Sequence, residues 1–568
     1  MKKILGYLKP YIGRMSFGFL IKFFGTIMDL CLPWILAYII DYIIPARKIN
    51  LIFIWGGLMI VCSILGVSFN IIANRMAARV SRNATENIRH DLFKKISYLS
   101  SSQVDNFGVP SLISRMTTDT YNVHNMLGMM QRIGVRAPIL LIGGIIVTST
   151  LDIYLTLVLV AVLPFIALVV YLVTKKSIPL YREQQLSIDK LVRKVRENIV
   201  GIRVIKALSK TEYEKDQFSN INLEVVKKEK KAGMTTAIIN PLMSLLLNIG
   251  LVCIILVGAI RVNSGLTEVG KIIAFLTYFT IILNAMLAVT RIFIAFSKAS
   301  ASANRISEVL DISEDLEKEN IDNKKSDYHI EFNDVSFSYN NIENNITDMN
   351  FKLKRGESLG IIGSTGSGKT TIINLLMRFY DVNKGEILIN GQNIKSMDKS
   401  VLNKKFGVVF QNDTIFEDII LENITLGRKI DIEQVKNASK YAQASSFIEN
   451  IKDDYNAKLD IRGANLSGGQ KQRILIARAL AGTPEILILD DSSSALDYKT
   501  DAMLRKEINN NFIDTTTIII AQRVSSVMNL DHILVLEDGE IIGYGSHDEL
   551  INTCDVYKEI SQSQMGGE

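Results

Sequence analysis

Six apolar stretches of about bilayer length, at 17–40, 51–73, 133–150, 153–173, 238–260 and 272–296, constrain this chain more than any other feature. A segment crosses hydrocarbon only if its backbone polar groups are paired internally, which a helix of about 20 mostly apolar residues achieves. Only Leu151 and Asp152 separate the third stretch from the fourth, so these two form a tight hairpin. Short loops at 45–50 and 263–270 join the first pair and the last pair. The other two connections, 74–132 and 174–233, are long and rich in cations, among them Arg75, Arg79, Arg82, Arg89, Lys94 and Lys95 in one and Arg193, Lys194, Arg196, Arg203 and Lys206 in the other. Such an asymmetry places both long connections in the cytoplasm, and both chain ends with them. The opening MKKILGYLKPYIG is basic and lacks a small-residue cleavage site, so it is expected to be an uncleaved cytoplasmic start rather than a signal peptide. With only this short stretch before the first span, a fused peptide-processing domain is not expected.

Apolar residues recur at helical spacing through 79–99 (Val80, Ile88, Leu92, Ile96) and 186–205, so the membrane helices are expected to continue several turns into the cytoplasm. Breaks at Gly108-Val109-Pro110 and at Ser209-Lys210-Thr211 interrupt these connections, and a short helix after each break is expected to dock on a soluble domain. Lys22 and Asp29 lie seven apart on one face of the first span. They form either a polar wall of a substrate path or, more plainly, a helix-packing pair or a Lys22 that snorkels toward the cytoplasmic interface. The second, plainer reading is preferred. Pro33 and Pro164 are expected to kink their spans. The four cysteines, Cys31, Cys62, Cys253 and Cys554, show no CxxC spacing, which argues against a disulfide framework or a zinc site. The net charge of +6 is explained by the cytoplasmic cations and gives no case for nucleic acid.

Beyond a polar stretch at 314–327 the pattern turns to strands, first at 328–332 and 335–339. The apolar strand 358–362 then runs into Gly363-Ser364-Thr365-Gly366-Ser367-Gly368-Lys369-Thr370, and Thr371 opens a helical run. This is the phosphate-binding loop in its strand–loop–helix setting: backbone N–H groups and the helix N-terminus surround phosphate oxygens, Lys369 reaches the β- and γ-phosphates, and Thr370 holds Mg²⁺. A second apolar strand ends in Asp490, an acid suited to the same Mg²⁺.

Between the two stands Leu466-Ser467-Gly468-Gly469-Gln470. With this motif the chain resembles the ABC transporters of exporter type over essentially its whole length. The resemblance implies a multidomain fold: an all-α six-helix transmembrane domain at 1–312, a linker at 313–327, and an α/β phosphate-loop nucleotide-binding domain at 328–568. It makes Tyr339 the ring that stacks on adenine and Gln411 the glutamine that touches Mg²⁺ and communicates with the membrane domain. It makes 494–497, ending in Asp497, the loop beside the signature, and assigns 108–123 and 199–218 to the regions that couple the two domains. It implies ATP and Mg²⁺ as ligands, bound between the phosphate loop of one chain and Ser467–Gln470 of another, so a second half-transporter is required. It implies a plasma-membrane location, and the Lys-, Ile- and Asn-rich composition points to a bacterium with AT-rich coding.

Two positions depart from that family. The residue after Asp490 is Asp491 where the general base is usually Glu, and Gln522 stands where a switch His is expected. A third, weaker departure is that 460–463 lacks the Glu that exporters often carry there. Asp is shorter than Glu by about 1.5 Å, and Gln cannot shuttle a proton. Because both changes fall on one composite site, the expectation is a degenerate half of a heterodimeric exporter whose intact signature completes the partner's site. A slow homodimer using Asp491 as base is the alternative, and an ATP-gated channel or regulatory subunit is a reading from another class. The expected substrate is amphipathic: a drug-like small molecule, a lipid or a peptide.

Overall fold

The computed structural model describes residues 1–313, 316–340, 342–492 and 495–565. The chain divides into two compact units, Met1–Tyr98 with Gly108–Ile312, and Leu99–Phe107 with Ser313–Glu568.

The first unit is helical throughout. Its membrane helices are Ile12–Tyr38, Ile49–Ser97, Thr120–Leu151, Ile153–Val200, Ile239–Asn263 and Val269–Asp311, and the segment Thr211–Ala237 precedes the fifth. The second helix has 49 residues. At about 1.5 Å per residue it is about 73 Å long, more than twice the hydrocarbon thickness, so the expected cytoplasmic continuation is present. Pro33 and Pro164 lie inside unbroken helices. Side chains such as Phe53 (75% exposed), Ile60 and Ile64 turn outward, a surface that lipid solvates and water would not. Inward, the sixth helix buries Phe275, Tyr278, Phe279 and Ile282 completely. Gly250 admits Phe279: a Cβ there would lie 2.4 Å from the ring, the small-residue device of close-packed membrane helices.

Charges fix the helix ends. In the hairpin, Asp152 accepts from the N–H groups of Tyr154 (2.9 Å) and Leu155 (3.2 Å) and pairs with Arg261 at 3.0 Å. At the cytoplasmic side, fully buried Asp119 pairs with Arg305, Arg115 reaches Glu308 at 3.0 Å, and Asn122 donates to Ser302 Oγ at 3.0 Å. The start of the third helix is thereby clasped to the end of the sixth.

The second unit contains two sheets. Strands β1 (Ile330–Phe337), β2 (Ile346–Leu353), β3 (Ser358–Gly363), β4 (Lys384–Ile389), β5 (Gln392–Asn393), β6 (Phe406–Val409), β7 (Ile486–Asp490), β8 (Thr516–Ile520), β9 (His532–Glu537) and β10 (Glu540–Gly545) form an antiparallel sheet ordered β2-β1-β4-β5 and a larger one ordered β10-β9-β3-β8-β7-β6. In the larger sheet β9, β3, β8, β7 and β6 are parallel. Their near-continuous Ile, Leu and Val content is what a strand buried on both faces requires.

Two expectations are corrected. The two strands foreseen at 328–332 and 335–339 are the single β1, interrupted by a register shift between Phe332 and Val335 where Asp334 adopts φ +48°. At the first break the short helix Ser101–Phe107 precedes Gly108 and belongs to the second unit, while Val109–Ser114 follows the break within the first unit; at the second, the short helix Ile202–Ala207 ends just before Ser209 and also belongs to the first unit. The helix Ser101–Phe107 forms because Ser100 and Gln103 make reciprocal caps, Gln103 N–H to Ser100 Oγ (3.1 Å) and Ser100 N–H to Gln103 Oε1 (3.3 Å). The expected linker also makes backbone bonds along the nucleotide unit, Glu319 N–H to Lys395 O at 2.9 Å and Lys324 N–H to Gly391 O at 2.8 Å.

Candidate functional site

Parallel pairing brings distant residues to one edge. Ile361 of β3 and Asp490 of β7 both register with Ile520 of β8, and Val409 of β6 registers with Leu489. The carboxyl ends of four strands are therefore level, and ligands of open α/β sheets bind beyond that edge. The phosphate loop leaves β3 there, Gln411 follows β6, Asp491 follows β7 and Gln522 follows β8. Together they line a cavity of about 200 Å³ with Asn345, Thr365, Gly366, Gly368, Lys369, Thr370, Thr371 and Asp490.

Gly368 carries φ +99° just before the helix Lys369–Leu376, and a Cβ would meet Ile346 Cδ1 at 2.7 Å and Asn345 O at 3.0 Å. Only glycine accepts both the angle and the approach. The loop closes on itself: Lys369 Nζ donates to Gly363 O (2.9 Å) and Ser364 O (2.6 Å). Burial pushes the Lys369 ammonium below its usual range, against the opposing pull of Asp490 and Asp491. Burial also pushes the Asp490 carboxyl up, while Thr370, donating to Oδ2 at 3.4 Å, holds it down. A phosphate at this loop would relieve the first strain and a cation the second. Among the described residues no cluster of three His, Cys, Asp or Glu side chains could hold a metal unaided. The hydroxyl, carboxylate and amide of Thr370, Asp490 and Gln411 instead suit Mg²⁺, which keeps few protein ligands and arrives with phosphate oxygens.

Asp491 adopts φ +50°, a left-handed conformation that Asp tolerates better than most residues, and Gln522 Nε2 donates to its Oδ2 at 3.4 Å. The two departures from the family pattern thus touch each other beside the phosphate loop.

Tyr339, two residues past β1, lies over the helix that follows the loop. Its hydroxyl donates to Thr371 Oγ1 (3.4 Å) and accepts from Asn374 Nδ2 (3.2 Å), and its ring is edge-on to Phe337 and Tyr380 at 4.8 and 5.0 Å. Tyr380 in turn hydrogen-bonds Asp105 of the helix Ser101–Phe107, and Gln103 of that helix donates to Ser313 O at 2.7 Å. Sequence reasoning missed Asn345, Tyr380 and Asp105. The S-x-x-Q pattern at 100–103 was the available signal for the short helix; nothing in the sequence marks Tyr380 or Asn345.

The remaining expected residues are elsewhere. Ser467 and Gln470 cap the helix Gly468–Leu480 reciprocally, with Ser467 N–H donating to Gln470 Oε1 at 2.9 Å. Asp497 caps Tyr498–Asn511 through Thr500 N–H at 3.0 Å, and that bonding to Thr500 holds its carboxyl low. Neither these side chains nor Gly468 and Gly469 line the cavity. Ser494 of the expected loop lies outside the described residues.

Comparison with known proteins agrees with this layout. The family model of the ABC transporter transmembrane region matches residues 15–286, and that described as ABC transporter matches 346–494. The ABC transporter ATP-binding protein YfiB of Bacillus subtilis is 34% identical over 570 residues, covering 100% of this chain and 99% of its own. The putative ABC transporter ATP-binding protein exp8 of Streptococcus pneumoniae is 30% identical, with 100% and 97% covered. The solved structure of a bacterial Atm1-family ABC exporter with ATP bound shares the fold, with a TM-score of 0.82 at 23% identity over 97% of this chain and 98% of that one. Matched along its full length by such relatives, with six helices among the described residues long and apolar enough to span a bilayer, the chain belongs to the ABC transporter family, as a multi-pass membrane half-transporter whose nucleotide-binding domain is cytoplasmic.

Proposed function

We propose that this chain is the catalytically degenerate half of a heterodimeric exporter that uses ATP to move an amphipathic substrate out across the plasma membrane. Residues 1–312 serve as the membrane domain, 313–327 as linker and 328–568 as the ATPase. The observation that carries this reading is the position of Asp491 and Gln522 together at the phosphate loop, 3.4 Å apart, where a longer base and a protonatable switch would serve hydrolysis.

Gly363–Thr371 would cradle the phosphates, and Tyr339 would stack on the adenine. Mg²⁺ held by Thr370, Asp490 and Gln411 would neutralise phosphate charge when bound. Asp491 would orient the attacking water and take its proton from too far back, and Gln522 would hydrogen-bond the γ-phosphate without adding a positive charge. The signature Ser467–Gln470 and Asp497, at least partly exposed and away from this cavity, would complete the partner's site across the interface. ATP binding would draw the two nucleotide domains together, and the helix at 101–107 would carry that closure toward the spans.

Native mass spectrometry of the complex purified from its own cells tests the pairing. A one-to-one complex with a second half-transporter, bearing Glu and His at the positions matching Asp491 and Gln522, is expected. A homodimer that hydrolyses ATP would refute it.

A further inference from the structure

The membrane unit carries a second cavity, of about 600 Å³ and open on one side, lined by buried Lys22 of the first span, Asn74 of the second, exposed Arg132 and Arg136 of the third and exposed Arg291 of the sixth, with Asp29 as its one carboxylate. The charges do not balance. Arg136 Nη2 lies 3.0 Å from Asp29 Oδ2, so those two cancel. Lys22 donates only to the neutral Asn74 Oδ1 at 3.0 Å, and Arg132 Nε to Gly128 O of its own helix at 3.1 Å. Among the described residues no carboxylate lies within ion-pair distance of Lys22, Arg132 or Arg291.

Cations at the cytoplasmic ends of spans commonly extend into water or toward lipid phosphates. Lys22 does not, being 3% exposed and enclosed by helices. A buried cation without a counter-charge is costly, and such groups inside membrane proteins mark ligand paths. The remaining wall, with Ile133, Leu140, Ile281 and Ala288, is apolar apart from Asn284. All four cationic positions lie toward the cytoplasmic ends of their spans, where a molecule from the cytoplasm or inner leaflet would arrive.

We propose that this cavity is the loading site for an amphipathic anion: a phosphate, carboxylate or sulfate head held by Lys22, Arg132 and Arg291, with an apolar body against the third and sixth helices. The proposal rests on the exporter reading and narrows its substrate class to anions. Guanidinium groups suit such heads because they present parallel N–H donors.

Equilibrium binding to the purified complex in zwitterionic nanodiscs, without ATP, tests it with three probes: 1-naphthyl phosphate, naphthyl-trimethylammonium and inorganic phosphate. The naphthyl phosphate is expected to bind at least about tenfold tighter than the matched cation, and inorganic phosphate to bind far more weakly. Arg132→Gln with Arg291→Gln should weaken the naphthyl phosphate about tenfold while ATP binding is unchanged, and Arg132→Lys with Arg291→Lys should restore most of it. Competition by added phosphatidylglycerol would identify a lipid source for the same head chemistry, and its absence a soluble amphiphile. Equal or tighter binding of the cation, equal binding of inorganic phosphate, or a preference that survives the double glutamine variant would overturn the proposal. Because no ATP is present, the result stands apart from whether the complex pumps.

Discussion

Restoring Asp491→Glu and Gln522→His in one chain should raise hydrolysis at its own phosphate loop by about 10²-fold. The magnitude follows from geometry. Glu carries its carboxylate about 1.5 Å further from the backbone, and an error of about 1 Å in a reacting group costs about 10²-fold. Loss of general-base assistance altogether costs about 10²–10⁴-fold, which sets the ceiling. In the native chain the Asp491 carboxylate lies 3.4 Å from the Gln522 amide, so the two replaced side chains are already neighbours and act on one point. The left-handed backbone at 491 (φ +50°) is less comfortable for Glu than for Asp and costs stability of about 1 kcal/mol, without bearing on the chemical step. The assay is phosphate release at saturating Mg·ATP from a complex whose partner carries a disabled phosphate loop, so that turnover reports this site alone. Asp491→Glu by itself should supply most of the gain. A double variant that binds ATP normally yet turns over no faster than the native chain would refute the reasoning.

Three further outcomes are expected. Gly368→Ala forces a Cβ to 2.7 Å from Ile346 and strains φ +99°, so ATP affinity of the complex, read by equilibrium binding, should fall at least about tenfold. Tyr380→Phe keeps the ring against Tyr339 but removes its bond to Asp105; nucleotide affinity should be unchanged while substrate-stimulated ATPase falls about fivefold, the worth of about 1 kcal/mol for one hydrogen bond. His329 is buried and bonded to Thr516 at 2.7 Å; burial and nearby Arg355 and Lys405 push its pKa below the ordinary 6.5, against the pull of Glu485. The unfolded chain then binds the extra proton, so its contribution is complete above about pH 6.5 and is lost as pH falls below it, lowering the melting temperature; His329→Gln should flatten that slope in differential scanning fluorimetry.

Much of this was legible because the motifs are local. The glycine spacing from Gly363 to Lys369 fixes a strand–loop–helix turn wherever it occurs, and six apolar runs admit few arrangements. The convergence of Gln411, Asp490 and Gln522 on the phosphate loop was foreseen only through family resemblance, since the register that levels β6, β7, β8 and β3 is a long-range property. The short helix that joins the nucleotide unit lies before Gly108, because its start is set by the Ser100–Gln103 cap, a weaker sequence signal than the Gly-Val-Pro break. Lys22 and Asp29 looked like a pair of neighbours along one helix. The structure instead gives Asp29 to Arg136 and Lys22 to Asn74, partners on other helices that no spacing within the first span could disclose.

The most direct test is transport itself. Inside-out proteoliposomes holding the complex, preloaded with the transported amphiphile at equal concentration on both sides, should accumulate it above the external level on adding Mg·ATP. That accumulation should vanish with Lys369→Ala in this chain combined with the equivalent change in its partner. Movement that only ever levels a gradient, with or without ATP, would show a channel or a regulator and contradict the account.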